Sequence, residues 1–341
     1  MPELPEVETI RRGLNKFILK KKLVRVERLC EKSFVGDVGV ACGMVTGLRR
    51  YGKALIIDLD NGKSLMVHLR MTGQLIYDGA ERYAAGHPKE WDASFQKEAS
   101  QREEKSKIFK SKSAVSDLKI EHMSRFAAGH PSENFFSILP NKQTRVVLEF
   151  EDGTLYFNDQ RKFGFIKVLN TAEVERDDFI KKLAPEPWAM GADEFYEKLQ
   201  RHKNALIKAV ILDQTIICGL GNIYADEALF EAGIHPERRA GTVSQDEARR
   251  LLEAARMVMD RSIASGGSTM ATYVKADGTR GDYLEKFAQV FRREGQPCVR
   301  CGTKIEKIRV AGRGTHICPC CQQLDTCTKL GTCLKRRNRN D

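Results

Sequence analysis

The sequence predicts an α+β chain of several domains: antiparallel sheet first, helices next and a small metal-bound module last. Three observations carry this. Asn61-Gly62 and Asp152-Gly153 each stand between two apolar strand-like runs, a strong hairpin signal. From about Asp177 the apolar period changes from two to helical spacing. Near the end, four cysteines fall in two pairs, Cys298/Cys301 and Cys318/Cys321. A length of 341 residues exceeds one ordinary core. With 41% hydrophobic and 30% charged residues the composition is that of a soluble globular protein, not a disordered one. No run approaches the roughly 18 apolar residues of a membrane span. Met1 to Glu8 is acidic and proline-punctuated, unlike a secretion signal. The ten cysteines are therefore expected to be thiols or metal ligands rather than disulfides.

The elements follow in order. Leu4 to Phe17 reads as a helix, with Pro5 early and Glu6 and Glu8 in the first turn, where carboxylates complement the helix dipole. Ala54–Leu59 with Ser64–Leu69, and Val146–Glu151 with Thr154–Asn158, read as two hairpins, so the first ~170 residues are mainly antiparallel sheet. Lys203–Asp213 carries Leu206, Ala209, Val210 and Leu212 at helical spacing. After the turn Gly219-Leu-Gly-Asn222 comes a second helix, Ile223–Ala232, ended by Gly233. Ser244 and Glu247 make a capping-box pattern before Ala248–Ile263. This is a helical unit of helix–turn–helix type. A Gly-rich stretch from Gly266 to Gly281 separates it from the cysteine module.

Two features lie outside this frame. Arg82-Tyr-Ala-Ala-Gly-His-Pro88 returns 43 residues later as Arg125-Phe-Ala-Ala-Gly-His-Pro131, around a Lys/Glu/Ser-rich segment. The segment reads as an insertion bounded by a duplicated sequence. The net charge of +11 is also uneven: from Arg292 to Asp341 there are 12 Lys/Arg and 4 Asp/Glu. Such a block attracts a polyanion, nucleic acid first.

The cysteine spacing, Cys298-x2-Cys301-x16-Cys318-x2-Cys321, suits one tetrahedral zinc ion with four thiolates. A closed four-sulfur site has no open position for substrate, so this zinc is structural. Cys320 breaks the spacing and is a poorer ligand. At the other end, Pro2 follows an initiator methionine. It is either part of a helix start or, once Met1 is removed, a secondary amine. An α-amine pKa near ~8 leaves a useful fraction unprotonated, able to attack an electrophilic carbon. Glu3 beside it could carry the proton. The seven histidines show no ligand or nucleophile–base spacing.

Several motifs, in order along nearly the whole chain, resemble one family. They are Pro2-Glu-Leu-Pro-Glu-Val-Glu-Thr9 with Arg11-Arg12-Gly13, His68-Leu-Arg-Met-Thr-Gly73 and Asp159-Gln-Arg-Lys-Phe-Gly164. Gly219-Leu-Gly-Asn-Ile-Tyr-Ala225, Gly233-Ile-His-Pro236, Ser265-Gly-Gly-Ser-Thr269 and the four-cysteine finger complete the set. Together they are similar to the formamidopyrimidine-DNA glycosylases. About residues 80–142 and the last twenty lie outside the resemblance, and Gln160 stands where many relatives have proline.

The resemblance implies an N-terminal antiparallel β-sandwich catalytic domain (1–175), a helix–two-turn–helix domain (176–290), a zinc finger (291–325) and a basic tail (326–341). It implies a bifunctional glycosylase and abasic-site lyase acting on oxidised purines, flipped out of duplex DNA. Pro2 would be the nucleophile, Glu3 the acid–base partner and Lys53 a lysine near the flipped nucleotide. Met71, Arg161 and Phe163 would fill the void, with Arg161 reading the orphaned cytosine. Asn222, Lys208 and Arg313 would contact phosphates. A bacterial, cytoplasmic, nucleoid-associated monomer is expected. A related enzyme preferring oxidised pyrimidines is the nearest rival, against which Leu4-Pro5, Met71 and the Arg161/Phe163 pair speak. A non-catalytic DNA-binding protein is the other, against which intact Pro2, Glu3 and Lys53 speak.

Overall fold

In the computed structural model, α1 (Leu4–Ile18) turns Val7, Ile10, Leu14 and Ile18 toward a core shared with two layers of strands. The model describes residues 2–79, 125–129, 138–268 and 283–324. The strands are β1 (Lys22–Arg28), β2 (Phe34–Val35), β3 (Gly43–Tyr51), β4 (Ala54–Leu59), β5 (Lys63–His68) and β6 (Gly73–Gly79). They continue with β7 (Arg125–Gly129), β8 (Thr144–Phe150), β9 (Gly153–Asp159) and β10 (Phe165–Asn170). One layer runs β2-β10-β5-β4-β3 and the other β1-β8-β9-β6-β7; a short β1–β3 pairing joins them.

Alternation along the strands explains both faces. In β4, Leu55, Ile57 and Leu59 join the inner core with α1. Ala54 and Ile56 point the other way, onto Val174 and Ile180. Both expected hairpins form, β4–β5 and β8–β9. One pairing departs from the antiparallel expectation: β2 runs parallel to β10 at Phe34–Ile166 and Val35–Lys167. β2 reaches that edge by the 3-10 turn Glu31–Ser33 rather than by a hairpin. β7 is the second copy of the repeat and pairs with β6. The first copy, the segment between the copies, the Gly-rich stretch beyond Ser268 and the tail lie outside the described residues.

The helical part comprises α2 (Ala192–Arg201), α3 (Ile207–Leu212), α4 (Asn222–Ala232), α5 (Gln245–Ala264) and the short α6 (Tyr283–Lys286). α3 is shorter than the apolar spacing from Lys203 suggests. Ala205 O accepts from Ala240 N, and Ile207 N donates to Arg238 O, so the preceding residues are tied to the 236–240 segment instead of to a helical turn. α4 ends at Gly233 in the left-handed region, φ 70°. α5 starts with the expected Ser244/Glu247 capping box. Two strands, β11 (Glu306–Val310) and β12 (Arg313–Ile317), pair as a hairpin between the two cysteine pairs. Its tip, Ala311 at φ 49° and Gly312 at φ 76°, has the two positive φ angles of a tight primed turn.

Candidate active site

The N-terminus of α1 docks on the start of α4. Leu4 N donates to Gly219 O at 3.2 Å. The Glu3 carboxylate accepts from Ile223 N at 3.0 Å and from Tyr224 N at 3.4 Å, so it caps α4 from another domain. The two glycines of Gly219-Leu-Gly-Asn222 are required by this approach. A Cβ on Gly219 would lie 2.4 Å from Leu4 Cδ1, and one on Gly221 would lie 2.2 Å from Glu3 Cδ. Lys53, one residue past the left-handed Gly52 of the β3–β4 turn, reaches the same loop and donates to Leu220 O at 2.6 Å.

Pro2, Glu3 and Lys53 are all buried. Burial pushes the Glu3 carboxyl up to about 7, against the pull of the Lys53 charge. Burial likewise pushes the Lys53 ammonium down, opposed by Glu3. The pocket thus holds a carboxyl able to change protonation near neutral pH, one residue from Pro2. Glu6 braces it: Glu6 Oε2 accepts from Glu3 N at 2.8 Å, and Oε1 accepts from Ser268 N at 2.9 Å and from Tyr224 Oη.

A second network fixes the turn that carries Lys53. Arg50 pairs with Glu8 at 3.1 Å and with Glu186, whose carboxylate also accepts from Gly52 N at 3.0 Å. Burial raises the Glu8 carboxyl, but Arg11, Arg12 and Arg50 together hold it down to about 2.

The finger meets the helices at α4. Glu227 accepts from the backbone N–H groups of Gln289, Val290 and Phe291. Asp226 accepts from His316 N at 3.0 Å and from Lys208 Nζ at 2.6 Å. The Sγ atoms of Cys298, Cys301, Cys318 and Cys321 all lie within 4.8 Å of one another, with Cys298–Cys321 at 3.9 Å and Cys301–Cys318 at 3.4 Å. Tetrahedral zinc with Zn–S near ~2.3 Å asks for sulfurs about 3.8 Å apart, so the donor set and its spacing fit the ion. Cys320 is disulfide-bonded, a departure from the expectation that the cysteines are thiols or metal ligands rather than disulfides.

Met71 and Phe163 stand out at a corner of the sandwich, 41% and 54% exposed. Arg161, also exposed, lies over the Phe163 ring at 4.9 Å. Among the described residues no helix is long and apolar enough to cross a membrane.

Comparison with known proteins agrees along most of the chain. Residues 1–166 match the formamidopyrimidine-DNA glycosylase N-terminal domain, and residues 183–274 match the H2TH domain of the same enzymes. Residues 295–324 match the zinc finger found in FPG and IleRS. The formamidopyrimidine-DNA glycosylase of Desulfitobacterium hafniense is 36% identical over 333 residues, covering 94% of this chain and 100% of the relative. The chain belongs to the formamidopyrimidine-DNA glycosylase family. The Listeria innocua glycosylase is 35% identical, covering 95% of this chain and 100% of its own length. A Lactococcus lactis FPG mutant bound to Fapy-dG-containing DNA superposes with a TM-score of 0.71 at 29% identity, over 94% of this chain and 100% of that one. The protein is thus a DNA glycosylase of base-excision repair, with a β-sandwich domain, an H2TH domain and a C-terminal finger that binds one zinc ion.

Within this glycosylase the residues expected from sequence fall into two groups. Glu3 and Lys53 come together, with Pro2 beside them, and the Arg313 charge is close enough to oppose protonation of Lys53. Asn222 is the first residue of α4; its Nδ2 donates to Gly314 O at 2.9 Å, beside the exposed Arg313. Lys208 is a correction. Its side chain is fully buried, and its Nζ also donates to Thr315 Oγ1 at 2.6 Å. A lysine sealed between Asp226 and the finger strand holds the finger to the helices and has no surface left for a phosphate. Sequence reasoning missed Arg50, Glu186, Asp226 and Glu227 as supports, whose ion-pair or capping partners are distant in the chain; it also missed Glu6, although the Glu3/Glu6 spacing is that of a capping box. It also passed over His68, which lies between Phe165 and Phe179 and is pushed down to about 3 by burial and by the charges of Arg70 and Lys53.

Proposed function

We propose that the protein excises oxidised purines from duplex DNA and cleaves the strand at the resulting abasic site, with Pro2 as nucleophile. The Pro2 nitrogen attacks C1′ of the flipped nucleotide, and the C1′–N9 bond breaks as the damaged base leaves, carrying the proton that the Pro2 nitrogen gives up. Glu3, protonated, gives its proton to O4′ as the sugar ring opens, leaving an iminium between Pro2 and C1′. The iminium acidifies C2′; loss of that proton expels the 3′ phosphate, and a second elimination expels the 5′ phosphate. Hydrolysis then frees Pro2. Lys53 supplies positive charge beside the reacting sugar and its phosphates.

The observation that carries this reading is the Glu3 carboxyl, capped on α4, raised to about 7 and one residue from a buried N-terminal proline. An acid poised near working pH is what ring opening requires. The DNA-bound neighbours include a Fapy-dG complex and an abasic-site complex, both from Lactococcus lactis, which supports the same two substrates here. Met71 and Phe163 would fill the vacated stack, Arg161 would read the orphaned cytosine, and Asn222 and Arg313 would hold phosphates. Zinc, held by the four cysteines, would fix the fold of the hairpin that carries Arg313. The protein would act as a monomer in the bacterial cytoplasm, at the nucleoid.

Borohydride trapping on a duplex with 8-oxoguanine opposite cytosine tests the reading. The expected product is a crosslink through the terminal amine, sharply reduced by Pro2→Gly or by retention of Met1. A crosslink through an internal lysine, with Pro2 dispensable, overturns it.

A further inference from the structure

The two exposed segments that carry Met71 and Arg161–Phe163 come from different hairpins, yet they start from one point of the sheet. β6 and β9 pair antiparallel, with Gly73 opposite Asp159. β5 and β10 pair with His68 opposite Phe165. Residues 69–72 and 160–164 therefore cross side by side from one layer of the sandwich to the other. Both tips stand in solvent: Met71 and Phe163 are exposed large apolar side chains. Each crossing also contains a non-glycine residue in the left-handed region, Arg70 at φ 51° and Lys162 at φ 58°. That conformation costs energy for such residues and persists only when neighbours enforce it.

In the first crossing Arg70 N donates to His68 Nδ1 at 3.1 Å and Gly73 N to Leu69 O at 2.9 Å; one fully buried side chain, Asp159, organises the second crossing and ties it to the first. Asp159 Oδ2 accepts from Phe163 N at 2.8 Å and from Gly164 N at 2.7 Å. Its Oδ1 accepts from Arg161 N at 3.1 Å and from the Thr72 hydroxyl. Thr72 Oγ1 in turn accepts from Arg161 N at 3.1 Å, closing the link between the two crossings. Gly164 allows the approach, since a Cβ there would lie 2.7 Å from Phe157 Cζ and 3.2 Å from Asp159 Oδ2. The main chain of Asp159 is anchored as well: its N donates to Gln143 O at 2.9 Å, and its O accepts from Arg145 Nε at 2.7 Å.

We propose that Asp159, with Thr72, is a positioning residue that holds the Met71 and Arg161–Phe163 segments in one fixed relation, so that wedge and opposite-base reader enter the duplex together. The proposal rests on the void-filling reading above. All four donors need an acceptor, and only a carboxylate accepts on both oxygens. An amide of the same shape must turn an N–H toward one pair of donors, which releases either the Phe163 arm or the Thr72 arm.

The test is single-turnover excision of 8-oxoguanine opposite each of the four bases, with borohydride trapping on a preformed abasic site opposite cytosine as the control. Asp159→Asn should lower the preference for cytosine over adenine about tenfold, a loss on the order of one well-made hydrogen-bonded arm. Thr72→Val should lower it severalfold, and Thr72→Ser, which keeps the hydroxyl, should restore it. Trapping and thermal stability of the Thr72 variants should stay near the parent, which separates positioning from a general structural defect. If Asp159→Asn fails to fold, the Val/Ser pair at Thr72 decides alone. Parent-like base preference in Thr72→Val and Asp159→Asn, with Arg161→Ala losing it, overturns the positioning role. Parent-like preference in Arg161→Ala overturns the void-filling reading, and the proposal falls with it.

Discussion

Glu3 is 2% exposed and Phe163 is 54% exposed, yet both are held by hydrogen bonds: Glu3 by the start of α4, far along the chain, and the Phe163 N–H by Asp159, close by in the chain. In the pocket, the reacting groups are themselves buried, and burial tunes them: it lifts Glu3 to about 7 and lowers Lys53. In the corner, only the support is buried. Asp159 is sealed while Met71, Arg161 and Phe163 stand in solvent, with Arg161 lying over the Phe163 ring. The difference follows from what each region must meet. A chemical group needs a dry environment made in advance by the protein. A wedge needs a surface that DNA itself will cover, and so only its backbone can be arranged beforehand.

The largest effect should come from breaking the pocket's rule. Glu3→Gln removes the titrating group but keeps its shape, and general acid–base groups contribute about 10²–10⁴-fold. We expect strand cleavage to fall within that range, with the alkaline limb of the pH profile gone. The parent rate should fall as pH rises above about 7, because ring opening uses protonated Glu3. Stability carries the same sign. A carboxyl raised in the folded state costs stability as pH climbs from its ordinary range through about 7, and the cost is constant above that. Denaturant unfolding at pH 5 and pH 8 should therefore show Glu3→Gln gaining on the parent at the higher pH. An unchanged difference would mean that burial does not tune Glu3.

A smaller effect should come from the finger, which mixes the two arrangements. Arg313 is exposed like the wedge, but its hairpin is held from two sides, by the four cysteines and by Asp226 on α4, while Glu227 holds the 289–291 segment that leads into the finger. Cys298→Ser should lose zinc and weaken DNA binding about tenfold, with a salt slope shallower by about one for each phosphate no longer neutralised. Metal content by mass spectrometry and titration at several salt concentrations check both. Loss of zinc with unchanged binding would show that the α4 carboxylates suffice to place Arg313.

What is legible in the sequence divides along physical lines. α1, both hairpins, the α5 capping box and the zinc ligands are readable because each is encoded within about twenty residues: a period, a turn dipeptide, a cysteine spacing. Lys208 looks like any basic residue on a short helix. Its burial depends on Asp226 and Thr315, the latter 107 positions away. Asp159 is the first letter of a motif whose exposed members, Arg161 and Phe163, carry the visible chemistry. Its role becomes apparent only once the β6–β9 register sets it opposite Gly73. The parallel β2–β10 edge likewise has no local signature, since it joins residues more than 130 apart.

The smallest effect is expected from the largest deletion. β7 is the second copy of the repeat, pairing Arg125 with Asp78, Phe126 with Tyr77 and Gly129 with Gln74. Removing Lys89 through Pro131 deletes this strand but leaves Arg82-Tyr-Ala-Ala-Gly86 three residues after Asp78. A three-residue connection is a common hairpin loop, so the first copy can take the same register with Tyr83 in place of Phe126. Shortening the closure from 46 residues to three favours the fold by roughly 2 kcal/mol on the logarithmic law, an extrapolation for so short a loop. Against that stands the hydroxyl. Phe126 lies against α1 so closely that a Cβ on Gly13 would be 2.5 Å from its Cζ, and Tyr83 would carry an oxygen on that carbon. A buried hydroxyl without a partner costs about 1–3 kcal/mol. The two terms nearly cancel, so the deletion variant should unfold within about 1–2 kcal/mol of the parent and cleave lesion DNA at a similar rate. Adding Tyr83→Phe to the deletion should recover stability by the hydroxyl's share. A folded, zinc-loaded deletion variant that no longer cleaves would show instead that the segment serves the enzyme.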